Sequence, residues 1–173
     1  FIYEKGEHGY GMINPTAKEQ WIDACLRWIK KSLDQPLMDW ANMKRFQEDN
    51  KKVGLPKSNE NRVVFMGNSI TEGWSNFHKR FWDGKPYINR GISGQTTPQM
   101  VLRFKQDVVD LKPKMVVILA GINDIAGNTG PMTLEQTRDN LIAMAQLARA
   151  NGIKVVLSSV IPAYDFPWRP GLE

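Results

Sequence analysis

The chain has 173 residues and 42% hydrophobic content, enough for one packed domain of moderate size with a short appendage. Its net charge of +5 is spread thinly, with no basic run longer than two residues, which leaves no footprint for nucleic acid. No apolar run is long enough to span a membrane, the single Cys25 has no intrachain disulfide partner, and neither Asp165 nor any Cys/His cluster offers zinc-like spacing, so no metal and no cofactor are expected.

In chain order, a strand-like start at Phe1-Ile2-Tyr3 leads into the turn Gly6-Glu7-His8-Gly9-Tyr10-Gly11. An amphipathic helix follows, its apolar residues Trp21, Ile22, Cys25, Leu26, Trp28 and Ile29 recurring at helical spacing, with Cys25 read as a small core residue. Leu33-Asp34-Gln35-Pro36 breaks it, because proline disfavours helix at the preceding residue. Helical spacing resumes over Leu37–Asn50, and a polar loop covers 51–60. Val63–Gly67 is an apolar run closed by glycine, the pattern of a buried parallel strand, and a helix starts near Ile70. The short apolar piece Pro86-Tyr87-Ile88 precedes a glycine-containing turn. Thr97-Pro98 then opens a helix whose apolar face runs Met100, Val101, Phe104, Val108, Val109 and Leu111. Met115–Leu119 is a third strand. A helix follows Thr133, with Leu134, Leu141, Met144, Ala145 and Ala148 on one side and Asn151-Gly152 at its end, and a strand runs over 153–159. Strand–helix alternation predicts an α/β fold with a parallel, doubly wound sheet.

Three polar segments follow three successive strands: Gly67-Asn68-Ser69-Ile70, Gly91-Ile92-Ser93-Gly94-Gln95-Thr96 and Gly121-Ile122-Asn123-Asp124. In a parallel sheet they open on one edge, where open α/β folds place their ligands. Ser69 reads either as a nucleophile or as the N-cap of the following helix. Gly94 can offer an unobstructed backbone N–H and Asn123 an amide, the donors that acyl transfer needs for its oxyanion. His78, nine positions after Ser69 on the same expected helix, is displaced by roughly 13 Å at ~1.5 Å rise per residue, too far to serve as its base. Trp74 and Trp82 read as packing residues and Trp168 as an aromatic wall of the edge. Arg90 reads as a substrate contact or a strand cap, without a catalytic role.

These segments resemble the first three blocks of the SGNH (GDSL-type) hydrolases, in the branch of platelet-activating-factor acetylhydrolase-like enzymes and carbohydrate esterases. The resemblance covers residues 37–173 and implies a flavodoxin-like three-layer α/β/α fold. It also implies Ser69 as nucleophile, with Ser69 N–H, Gly94 and Asn123 as the oxyanion hole. Two departures stand out: Asn68 replaces the aspartate of the family name, and the Asp-x-x-His block that carries the general base is absent. The chain is therefore expected to be C-terminally truncated, with its base past residue 173 and little activity by itself. Residues 1–34 resemble the C-terminal tail of an α/β-hydrolase esterase, which implies His8 as the base of a second, separate site. The expected organisation is thus 1–34 as that tail, a lead-in helix and loop over 35–60, and an SGNH domain over 61–173.

The reading that follows is a serine ester hydrolase for small acyl esters, acetylated carbohydrate among them, with a small-molecule or carbohydrate partner. The rival is a non-catalytic, flavodoxin-like module whose Gly91–Thr97 loop binds an anion or sugar. Against it, neither Gly-x-x-x-x-Gly-Lys-Ser/Thr nor Gly-x-Gly-x-x-Gly occurs.

Overall fold

The computed structural model describes residues 20–33, 39–160, 162, 166, 167 and 171. The chain divides into two compact units, Phe1–Met38 and Asp39–Glu173. In the first, the described element is helix α1 (Trp21–Leu33), with Ala24 buried, the free Cys25 half-buried and Leu26 and Trp28 exposed. Cys25 is therefore not the fully enclosed core residue that its spacing suggests: the enclosed position on this helix is the adjoining Ala24. His8, Asp165 and Trp168 lie outside the described residues.

The second unit is built on four parallel strands, β1 (Val63–Gly67), β2 (Tyr87–Gly91), β3 (Met115–Leu119) and β4 (Lys154–Leu157), in the order β2-β1-β3-β4. All four are α/β-type crossover strands, so every loop that follows a strand opens on the same edge. Register is fixed by pairs such as Gly67 with Gly91 and with Leu119. Between the strands lie α3 (Ser69–Phe77), α4 (Lys79–Trp82), α5 (Thr97–Asp107), the short α6 (Ile122–Ile125) and α7 (Leu134–Ala150).

Strand alternation sends successive side chains to opposite faces. Val64, Met66, Val116 and Ile118 form one core with Met100, Phe104 and Val108 from the α5 segment and Met144 and Ala148 from α7. Phe65 points the other way, into a ring cluster with Trp74, Phe81, Trp82 and Tyr87; Trp74 stacks on Phe81 at 4.7 Å between centroids. Trp74 and Trp82 are thus packing residues, although the indole N–H of Trp82 is buried without a partner among the described residues.

Four local expectations change. The helix read over 37–50 is replaced, in its described part, by turns through Phe46, and α2 occupies only Gln47–Val53. Here side chains capture the backbone. The Asp39 carboxylate accepts the N–H groups of Met43 and Lys44 at 2.6 and 2.9 Å. The carbonyls of Trp40, Ala41 and Met43 accept from the amides of Gln99, Gln95 and Gln106. The helix that opens at Thr97 ends at Asp107, and Val109–Leu111 forms a separate 3₁₀ turn. On α7, Leu134 is exposed, while Thr133 and Gln136 form the capping box that starts that helix. The last strand is shorter than 153–159, spanning Lys154–Leu157.

Candidate functional site

Ser69 is the first residue of α3, exposed at the carboxyl end of β1. It is not the N-cap. That role falls to Asn68, whose side-chain oxygen accepts the Ile70 N–H at 3.1 Å. The Asn68 amide nitrogen is buried with no partner among the described residues. With capping done by its neighbour, the Ser69 hydroxyl is left without a hydrogen bond among the described residues. Its own N–H belongs to the unpaired first turn of the helix, where the positive end of the helix dipole favours an anion.

The loop after β2 is seated tightly against this helix. Gly91 ends β2 so close to α3 that a Cβ there would collide with the Thr71 and Glu72 backbone. Asn89 completes the junction, donating to the Thr71 carbonyl at 2.6 Å and accepting the Gly91 N–H at 2.8 Å. The turn Ile92–Gln95 is closed by Gln95 N–H on the Ile92 carbonyl at 3.3 Å. Gly94 sits in it at φ +76°, a conformation that glycine adopts without steric cost. Ser93 donates both its N–H (2.9 Å) and its hydroxyl to the Glu72 carboxylate, one turn along α3 from Ser69. These bonds, with Arg45 at 3.4 Å, hold the Glu72 pKa below the usual glutamate range, the Ser93 hydroxyl contributing most.

Asn123 lies in α6 rather than in an open loop and is buried. Its amide donates one hydrogen to the carbonyl of Gln95 at 2.9 Å, which joins the loop after β3 to the residue following Gly94. An amide carries two donors, so one remains without a partner among the described residues. Next to it, the buried Asp124 accepts the N–H of Thr97 at 3.0 Å and also its hydroxyl. Burial pushes the Asp124 pKa up, and the Thr97 bonds oppose it.

The sequence reading missed the group beneath these loops. Arg103, fully buried on α5, donates to the Gly67 carbonyl at 3.2 Å, the Arg90 carbonyl at 2.9 Å and the Gln95 side chain at 2.6 Å, and pairs with Asp107 at 3.1 Å. Gly67 precedes Asn68-Ser69 and Gln95 follows Gly94, so one guanidinium holds the segments carrying two of the candidate residues, and Asn123 joins them through its bond to the Gln95 carbonyl. Its signal was present in the sequence: Met100, Arg103, Phe104 and Asp107 form one stripe at helical spacing, with an Arg/Asp pair four residues apart inside it. Arg90 is likewise structural, bonded to Asn50, Asp49 and the Asn89 carbonyl and buried.

Ser69 opens onto two cavities. One, of about 440 Å³, is polar and includes Arg45, Glu72, Asn76 and Ser93. The other, of about 470 Å³, is apolar and includes Ile70, Trp74, Phe77, His78 and Leu119. His78 terminates α3 rather than continuing it and lies exposed in the lining of the apolar cavity. Among the described residues there is no group of three or more His, Cys, Asp or Glu able to hold a metal, and no helix long and apolar enough to cross a membrane. An exposed hydroxyl at a helix start, with N–H donors on adjoining loops, suits nucleophilic attack on a carbonyl.

Residues 65–173 match the model of the GDSL-like lipase/acylhydrolase family. A crystal structure of a GDSL-like lipase from Bacteroides thetaiotaomicron is 52% identical, with a TM-score of 0.74, covering 76% of this chain and 64% of that one. Esterase TesA of Pseudomonas aeruginosa is 37% identical over 99 residues, covering 55% of this chain and 48% of its own length. An acetylxylan esterase of Xylanibacter ruminicola is 28% identical over 203 aligned residues, covering 97% of this chain and 38% of its own length. The chain thus spans less than half the length of these two curated relatives.

Proposed function

The chain belongs to the GDSL-like lipase/acylhydrolase family, and on that premise we propose that it carries the nucleophile and oxyanion donors of a serine ester hydrolase acting on small acyl esters, acetylated carbohydrate in particular. The observation that carries this reading is the capping of α3 by Asn68, which leaves the exposed Ser69 hydroxyl uncommitted at the mouth of two cavities. Ser69 Oγ attacks the ester carbonyl and loses its proton to a histidine other than His8 and His78. The carbonyl oxygen becomes an anion that the Ser69 and Gly94 N–H groups and the free Asn123 amide hydrogen stabilise. The C–O bond to the alcohol then breaks, the alcohol leaves with the proton, and water hydrolyses the acyl-serine by the same steps in reverse. The polar cavity suits a hydroxyl-rich alcohol, and the names of the relatives, an esterase and an acetylxylan esterase, support an ester substrate. The Gly6-Glu7-His8-Gly9-Tyr10-Gly11 motif and the helix after it support reading residues 1–34 as the tail of a preceding hydrolase. The family match favours the hydrolase over the anion-binding alternative.

The test is hydrolysis of a chromogenic acetate ester and of acetylated xylan by the full-length protein, with Ser69→Ala and His8→Ala beside it. Ser69→Ala is expected to abolish the activity of this site, and His8→Ala to leave it unchanged. Full turnover by Ser69→Ala, with any upstream hydrolase inactivated, removes Ser69 from the mechanism.

A further inference from the structure

The Gly94 N–H belongs to the central peptide of a four-residue turn, and that peptide can face either way. Types I and II of such a turn differ by rotation of the peptide between the second and third residues, here Ser93 and Gly94. At φ +76° Gly94 is in the type II arrangement. Glycine pays almost no steric penalty in either arrangement, so the residue that permits the orientation does not hold it. Both central residues are exposed, so packing does not hold it either. What remains are the polar tethers on its two flanks. On one side the Gly94 carbonyl accepts from the Asn128 side chain at 3.1 Å. On the other, Ser93 gives its N–H and its hydroxyl to one oxygen of Glu72.

Resting on the serine hydrolase reading, we propose that Glu72 is a positioning residue, its carboxylate holding the Ser93–Gly94 peptide with its N–H turned to the oxyanion. Glu72 sits on α3 one turn beyond Ser69 and lines the same polar cavity. The nucleophile and the donor on the neighbouring loop are thereby referenced to one helix. The second oxygen of Glu72 faces Arg45. That cation partly offsets a negative charge which would otherwise oppose the oxyanion forming nearby.

The experiment compares kcat and KM for a chromogenic acetate ester in the full-length protein and its Glu72→Ala, Glu72→Gln and Ser69→Ala variants, with ¹⁵N relaxation dispersion of the Gly94 amide. Outright loss of an oxyanion donor costs about 10²–10³ in kcat, so a donor left free to turn is expected to cost roughly ten- to a hundredfold in Glu72→Ala, with KM within about twofold. Glu72→Gln keeps one oxygen for Ser93 and is expected to recover most of that loss. Gly94 is expected to gain microsecond-to-millisecond exchange only in Glu72→Ala. Unchanged kcat in a folded Glu72→Ala, or a change confined to KM, overturns the positioning role. Where Glu72→Ala fails to fold, Glu72→Gln decides: a loss equal to that of Ser69→Ala overturns it. An active Ser69→Ala instead overturns the underlying reading, so the two failures are distinct.

Discussion

The two sides of the candidate site are built differently. The loops after β2 and β3 are tied down by side-chain hydrogen bonds: Ser93 to Glu72, Gln95 to Arg103 and Ala41, Asn123 to Gln95, Thr97 to Asp124. The loop after β1 is capped by Asn68 and then releases Ser69 with no side-chain partner among the described residues. The contrast fits the roles proposed for the two parts. Oxyanion donors stabilise a charge only if they are already aimed when it forms, because reorienting them would take back the gain. A nucleophile must instead exchange its proton and its bonds during the reaction. A fixed frame beside an uncommitted hydroxyl is what such chemistry needs.

The sharpest way to break this contrast is to remove the centre of the frame. Arg103→Met leaves Asp107 buried without its cation and frees the Gly67, Arg90 and Gln95 contacts. Loss of one partner of a buried pair costs about 3–5 kcal/mol, so the urea midpoint is expected to fall steeply. An unchanged midpoint would show that the loops hold themselves. Next is Asn123→Ala, which deletes a donor and the bond to the Gln95 carbonyl; kcat is expected to fall about 10²–10³-fold, measured in the full-length protein. Retained kcat would take Asn123 out of the oxyanion hole.

Smaller effects test the nucleophile's side. Asn68→Ala removes the cap of α3 at a cost of about 1 kcal/mol, partly offset because an unpaired buried amide nitrogen disappears with it. A midpoint shift larger than that of Arg103→Met would contradict the present ranking. Smallest is the acid response of Glu72. Its folded pKa is lowered, first by the Ser93 hydroxyl, so it contributes stability above the ordinary glutamate pKa of about 4.3 that is lost as pH falls through the lower folded value. Being partly exposed, it contributes less than about 1 kcal/mol. Glu72→Gln is expected to flatten unfolding free energy against pH below about 4.5, and an unaltered slope would refute the pairing.

Much of this molecule is legible in the sequence because its signals are local. The runs that form β1 and β3 are apolar and end in glycine or a polar turn, and Thr97-Pro98 and Thr133 mark the starts of their helices. The placement of Ser69, Gly94 and Asn123 after three successive strands follows from those boundaries. What escaped is long-range. The segment before α2 has helical spacing, but glutamines some 54 to 63 positions away capture its carbonyls, which spacing cannot report. Arg103 reads as a charged residue on a helix until the fold buries it, and Leu134 reads as core but is exposed at the first position of α7. Asn68 was overlooked as the cap because Ser69, an equally good capping residue, stands beside it.

Ser69 is the proposed nucleophile of this edge. Its most direct test treats the full-length protein with a fluorophosphonate ester, which phosphonylates an activated serine through an oxyanion-stabilised intermediate, and maps the adduct by peptide mass spectrometry. The account predicts stoichiometric modification of Ser69, slowed in Asn123→Ala and absent in Ser69→Ala. Modification of Ser93 instead, or ester hydrolysis that persists with Ser69 unlabelled, would contradict it.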